Sequence, residues 1–181
     1  MRRRRAAPSQ PPAAKDPDSA EAAYAEAVKR LARQPQSRAT LGQRLLRAGY
    51  ADQAVGAALD RAEQEGYLND AEYAASLVRR RAGSRGQGLI AQELRARGID
   101  EGAAEPALVQ LDPEVEQGHA LTLGRKLLAG QRPGDRRALL AFLGPRLVRR
   151  GFSNSVVYRV YQQLAEELER AGAFDRVQER D

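Results

Sequence analysis

Three segments of this chain repeat one pattern, and that repetition limits the folds open to it more than any other feature. Leu41-Gly42-Gln43-Arg44-Leu45-Leu46-Arg47-Ala48-Gly49-Tyr50, Ile90-Ala91-Gln92-Glu93-Leu94-Arg95-Ala96-Arg97-Gly98-Ile99 and Leu143-Gly144-Pro145-Arg146-Leu147-Val148-Arg149-Arg150-Gly151-Phe152 share it. Each reads apolar, small, two variable residues, Leu, three variable residues, Gly, then an apolar or aromatic residue. The glycines at 49, 98 and 151 are 49 and 53 residues apart. Physically this is a helix end. Two apolar residues four apart share one face, a glycine turns the chain left-handed just past the helix, and an apolar residue packs back on the last turn.

A further helix is expected on either side of each template. Tyr24 to Leu31 stands 49 residues before Tyr73 to Arg80, so the helix preceding the template repeats too. Asp52, Asp100 and Ser153 or Asn154 are placed to cap the helix that follows. Apolar residues recur at helical spacing throughout: Val28 and Leu31; Val55, Leu59 and Ala62; Tyr73 and Leu77; and Val157, Val160, Leu164 and Leu168. Ser155 to Tyr161 alone could pass for a strand, but the stripe continues at helical spacing, so a helix is expected. Pro106 is expected to delay or kink the third helix of the second module.

The reading is all-α: three tandem three-helix modules, each too small to stand well alone, in an elongated, curved helical-repeat body on the order of 60 Å long. The expected boundaries are a disordered basic and Pro-rich arm over residues 1–18, modules over 19–66, 67–112 and 113–168, and a polar tail over 169–181. The third module begins near Glu114 and carries extra loop residues around Gln131 to Asp135.

Composition removes most chemistry. Among 181 residues there is no Cys and one His, His119, which excludes disulfides, thiolate nucleophiles and Cys-ligated zinc and leaves no histidine pair for a metal. His119 is expected on a helix surface or in packing. Acid pairs such as Glu63 with Glu65 and Glu166 with Glu167 are read as solvated helix faces. Gly83, Gly86 and Gly88 match neither a P-loop nor a dinucleotide-binding turn. No catalytic set is visible and no enzyme, cofactor or metal is expected. No stretch approaches the roughly 18 apolar residues of a membrane span.

What remains is positive charge. The formal charge is +6, the pI about 10.0, and only Lys15, Lys29 and Lys126 are lysines among 30 basic residues. The excess is therefore arginine, whose planar fork suits phosphate and carboxylate. It is segregated along the chain. From Gly66 to Ile99, six arginines face three acids; from Glu114 to Gln163, nine basic residues face three acids; from Leu164 to Asp181, six acids face three arginines. Arg79, Arg80, Arg81 and Arg85 around a glycine-rich turn form an expected anion-facing corner. With Arg95 and Arg97, and with Arg149 and Arg150 further along, they are the candidate binding surface. A direct DNA-binding protein, with arginines on phosphates, is one reading of such a surface.

The second module carries a more specific resemblance. Gly66-Tyr67-Leu68-Asn69-Asp70, then Tyr73-Ala74, Arg79, Arg81, Arg85-Gly86, Ile90, Leu94 and Gly98-Ile99 resemble the signature of the RecX family, regulators of the bacterial recombinase RecA. The resemblance spans residues 19 to about 168 and includes the tripled three-helix arrangement. It implies a cytoplasmic negative modulator that binds the RecA filament on DNA, inhibits its ATPase, strand exchange and co-protease activities, and so acts in DNA repair, recombination and the SOS response. It further implies weak, non-specific contact with single- and double-stranded DNA, a monomer and no membrane. The arm, the acidic tail and Pro106 depart from the family pattern, and nothing carries over onto them.

Asn69 followed by Glu72 has the spacing of a capping box, with Leu68 and Tyr73 at the positions of a hydrophobic staple. Replacing both Asn69 and Glu72 by Ala is expected to cost about 1–2 kcal/mol at that helix. A double variant with the wild-type melting curve would remove the box.

Overall fold

The computed structural model describes residues 16–174, and among them the chain forms nine α-helices and no strand. Most of the arm, through residue 15, and the tail beyond residue 174 lie outside the described residues. The chain divides into two compact units, one ending at Asp70 and the other beginning at Ala71.

The first unit contains α1 (Ala20–Arg33), α2 (Arg38–Arg47) and α3 (Asp52–Gln64). Ser19 and Ser37 cap the first two, accepting from the backbone N–H groups of Ala22 and Thr40. Ala27, Leu41, Leu45, Val55, Leu59, Ala62 and Leu68 form the core, while Ala23, Ala54 and Ala58 are buried together beside it. Alanines at such a contact let two helix backbones approach closely. Leu68 is buried in this core and Tyr73 in that of the second unit, so the pair expected to staple a helix is divided between two cores.

The second unit holds α4 (Asp70–Arg81), α5 (Gln87–Ala96), α6 (Glu101–Val109), α7 (Pro113–Leu128), α8 (Arg136–Val148) and α9 (Asn154–Arg170). Tyr73, Leu77, Ile90, Leu94, Ile99 and Leu111 centre the core of α4 to α6. Ala120, Leu139, Leu143, Leu147, Phe152, Val160 and Leu164 centre that of α7 to α9. The stretch Ser155 to Tyr161 is helical, as the longer stripe required. α6 begins at Glu101 and runs through Pro106, so no delayed start occurs. The proline removes one N–H, which in a regular helix would bond the carbonyl of Gly102 four residues back.

The repeated template is the same motif three times. The N–H groups of Tyr50, Ile99 and Phe152 donate to the carbonyls of Leu45, Leu94 and Leu147, at 3.3, 3.2 and 3.3 Å, across Gly49, Gly98 and Gly151. Those glycines have φ of 94°, 70° and 85°, where a Cβ is strained. Leu45, Leu94 and Leu147 are fully buried. In every copy the following helix is capped from the second residue after the glycine: Ala51, Asp100 or Ser153. Asp100 and Ser153 cap through their side chains. Asp52, expected as a cap, is instead the first helical residue of α3, because the turn fixes the cap one residue earlier. Ala51 there provides no side-chain hydrogen bond.

Modules two and three lock through backbone. Gly86 N–H donates to the carbonyl of Arg150 at 2.8 Å, and Gly88 N–H to that of Gly151 at 3.2 Å. A Cβ on Gly86 would be driven into the backbone of Gly151 and Phe152, and one on Gly151 into Leu89. Gly86 caps α5 without a side chain. The vacancy is filled by Glu116 of α7, only 6% exposed, which accepts from Gln87 N–H at 2.7 Å. The first unit repeats the device, since Asp70 accepts from Arg38 N–H, the first N–H of α2, at 2.8 Å. Arg38 and Gln87 are 49 residues apart, so the second helix of each of these modules receives a distant carboxylate at the same place.

Gly86 has an ordinary φ of −78°, so its replacement tests the contact alone. Gly86→Ala is expected to lose about 1–3 kcal/mol in urea unfolding, as overpacking against rigid backbone does. Gly83→Ala, where a Cβ meets nothing within 4 Å, is the matched control and should be near neutral. Equal stability of the two variants would refute the junction's role.

Candidate functional site

The eight candidate arginines fall into two groups. Arg79, Arg80 and Arg81 end α4, and successive residues point in different directions around a helix. Arg81 turns toward α5 and meets Glu93, Nη2 to Oε1 at 3.1 Å and Nε to Oε2 at 3.2 Å. Arg85, from the turn before α5, binds the same carboxylate, and Arg97, at the C-terminal cap of α5, binds it through Nη2 at 2.8 Å. Arg97 also donates from Nη1 to the hydroxyl of buried Tyr73 at 2.7 Å and lies 5.9 Å from its ring centre. Three guanidinium groups thus converge on one carboxylate whose side chain is 14% exposed.

Three positive charges face one negative in this cluster, and each guanidinium keeps donors to spare. The arginines remain 35–38% exposed, so the array is rigid on one side and open on the other. Burial raises the pKa of Glu93, but hydrogen bonds from Arg97 and Arg81 and the charges of Arg81 and Arg85 outweigh it, leaving it below the ordinary 4.5.

Arg79, Arg80, Arg95 and Arg149 are exposed and make no ion pair among the described residues. Arg150 at the end of α8 reaches the carbonyl of Ser84 at 3.5 Å, 66 residues away in sequence. The backbone bonds at Gly86 and Gly88 fix that approach, so the Ser84–Gly86 turn and Arg150 are neighbours. Elsewhere the basic excess of the third module is partly spent. Arg125 pairs with Glu167 at 2.7 Å and Arg136 with Glu169 at 2.6 Å, so acids that follow in the sequence fold back onto it.

Several clefts flank this region, among them two that carry a candidate arginine beside different neighbours. One, about 350 Å³, lies between α5 and α6, with Arg95, Glu101 and Glu105 on its walls. The other, about 280 Å³, lies between α4, α6 and α7, with Arg79 and His119 on its walls. Apart from its arginines, most of the family signature builds the fold. Gly66 turns left-handed at φ 79° after α3, Leu68, Tyr73, Ile90, Leu94 and Ile99 are core, Asp70 holds Arg38, and Gly86 and Gly98 form the junction and the helix end. Asn69 directly precedes α4, and Tyr67 is exposed.

Sequence reasoning missed Glu93 as the hub and Glu116 as the cap. The Glu93–Arg97 pair, four apart with the acid first, was a readable signal; the convergence of Arg81 and Arg85 was not. No group of three or more potential metal ligands occurs among the described residues, and no described helix is long and apolar enough to cross a membrane.

A group whose folded pKa is depressed stabilises above its unfolded pKa, and that stabilisation is lost as pH falls through the folded value. Glu93→Gln should therefore lower the melting temperature at pH 7, and the gap to wild type should close in acid, below the ordinary glutamate range. A gap that is constant with pH would show that the carboxylate charge is not what holds the cluster.

Comparison with known proteins places this architecture. Residues 23–61 match the model of the first RecX three-helix domain and residues 69–108 that of the second. The regulatory protein RecX of Thermobifida fusca is 36% identical over 152 residues, covering 83% of this chain and 80% of that protein. A crystal structure of a regulatory protein RecX superposes with a TM-score of 0.72 at 28% identity, covering 79% of this chain and 73% of the other. RecX from Lactobacillus salivarius shares the fold, with a TM-score of 0.75 at 23% identity over 80% of this chain and 96% of that one. Identity at this level over most of both sequences, on a fold of repeated three-helix units, shows that this chain belongs to the RecX family of regulatory proteins.

Proposed function

We propose that this chain is a negative modulator of the RecA recombinase: it binds the RecA filament on DNA and inhibits ATP hydrolysis, strand exchange and co-protease activity. The observation that carries the reading is that basic ends of distant segments meet, Arg150 reaching the carbonyl of Ser84 beside Arg85. Arg79, Arg80, Arg81, Arg85, Arg95 and Arg97 belong to one module and Arg149 and Arg150 to the next, and the Gly86–Gly151 junction joins their ends. A nucleoprotein filament offers phosphates and acidic side chains at fixed spacing, and a rigid arginine array suits such a target better than a flexible one. The Glu93 cluster supplies that rigidity, since ordering three long side chains in advance lowers the entropic cost of binding. Family membership supports a regulatory rather than a catalytic role.

The division between clamped and unpaired arginines decides how to test this. Reversing Arg81 or Arg85 would disrupt the Glu93 cluster as well as the surface. Reversing Arg79, Arg80, Arg95 and Arg149 to Glu removes no ion pair among the described residues. The quadruple variant is expected to melt as wild type does and to lose inhibition of the recombinase ATPase on pre-formed filaments. Full retained inhibition would sink the assignment. DNA alone as competing ligand, titrated with salt, separates a purely phosphate-driven binder, which loses about 0.7–0.9 log units of affinity per contact per log unit of salt.

A further inference from the structure

The cleft between α4, α6 and α7 differs in kind from the arginine surface beside it. Its apolar walls are Ala75, Val78, Ala82, Ala107, Leu111 and Val115, exposed Arg79 stands at its edge, and Gln110 and His119 complete the lining. At about 280 Å³ it exceeds the roughly 150 Å³ that holds a benzene ring in an engineered core cavity. Val115 is 50% exposed, an uncovered valine at the cleft wall. No acid lines the cleft, and its one guanidinium, Arg79, makes no ion pair among the described residues. The cleft across α6 has a different balance: Arg95 stands there with Glu101 and Glu105.

We propose that the α4–α6–α7 cleft is a protein-docking site, taking an aliphatic side chain of a partner that carries a carboxylate next to it, with Arg79 as the counter-ion. Two features argue against nucleic acid as its occupant. A phosphate backbone gains nothing from an alkyl floor, and no Phe, Tyr or Trp lines the cleft as a stacking platform for a base. An aliphatic anchor with an acidic neighbour fits both halves: the alkyl group loses water against Val78, Leu111 and Val115, and the carboxylate meets the guanidinium at the rim. This inference rests on the proposed binding of a recombinase filament. It assigns Arg79 to the protein side of that contact and leaves Arg80, Arg149 and Arg150 to the phosphates.

The test places a carboxylate in the cleft from two different elements, Val115→Glu on α7 and Gln110→Glu after α6, and compares Arg79→Glu with Arg79→Lys. Binding of the full chain is measured to RecA without DNA, to RecA on single-stranded DNA and to the DNA alone, with thermal melting as the check on folding. Val115→Glu, Gln110→Glu and Arg79→Glu are expected to lose about tenfold or more in affinity for RecA. Val115→Glu and Gln110→Glu should hold DNA affinity within about twofold, and Arg79→Lys should bind RecA nearly as wild type does. Wild-type affinity of Val115→Glu and Gln110→Glu for RecA would overturn the cleft assignment while leaving the proposed function standing. An equal loss for DNA would overturn it too, by placing nucleic acid on this face. A wild-type chain that binds RecA neither with nor without DNA would instead overturn the functional reading, and the docking site with it.

Discussion

The second unit depends on a contact that only glycine permits. Gly86 and Gly151 meet backbone to backbone, and the hydrogen bonds from Gly86 and Gly88 to Arg150 and Gly151 join two three-helix cores as one sheet strand joins another. Most helical repeats stack through side chains, which can slide. Here the carbonyls at the end of α8 are the partners of N–H groups at the start of α5, so the register is set by main-chain groups whose burial unpaired would be costly. Glu116 completes the arrangement. A buried carboxylate with no cation is normally destabilising, but this one faces the positive end of α5 and accepts from its first N–H.

The same economy appears in how the chain uses charge. Its arginines divide by what surrounds them rather than by where they fall in sequence. Arg81, Arg85 and Arg97 are tied to Glu93, Arg125 and Arg136 to acids on α9, and Arg38 to Asp60 and Glu63. A formal charge of +6 is thus the remainder after much internal pairing. The exposed pairs contribute little stability each. The Glu93 cluster is different, because the carboxylate is largely withdrawn from water and three donors share it, so it fixes geometry more than it adds energy.

Tandem modules also explain where open clefts arise. α6 must pack on α4 and α5 on one side, and α7 follows it after a three-residue connection. With alanines at positions 75, 82 and 107, the three helices cannot fill the space between them. A void of this kind in a monomer's interior would be closed by larger side chains. At the surface, next to an unpaired guanidinium, it is available to a partner.

Sequence alone determined the helical content and the three helix ends, because each rests on contacts within about six residues, and it carried the family resemblance through residue identities at ordered positions. The left-handed glycine, the leucine four residues before it and the apolar residue after it lie within one turn, and Asp100 and Ser153 cap within three residues. Where local counting slipped, at Asp52, the error was one residue in a turn whose register the other two copies already showed. Tertiary structure decided everything that joins distant segments: that Leu68 and Tyr73 serve different cores, that Glu116 caps a helix 29 residues away, and that Arg150 reaches Ser84. It also decided which arginines of an apparently uniform basic stretch are clamped and which are unpaired. A helix fixes the direction of a side chain relative to its own axis, but what that side chain meets depends on how separate helices pack, and no local pattern encodes that.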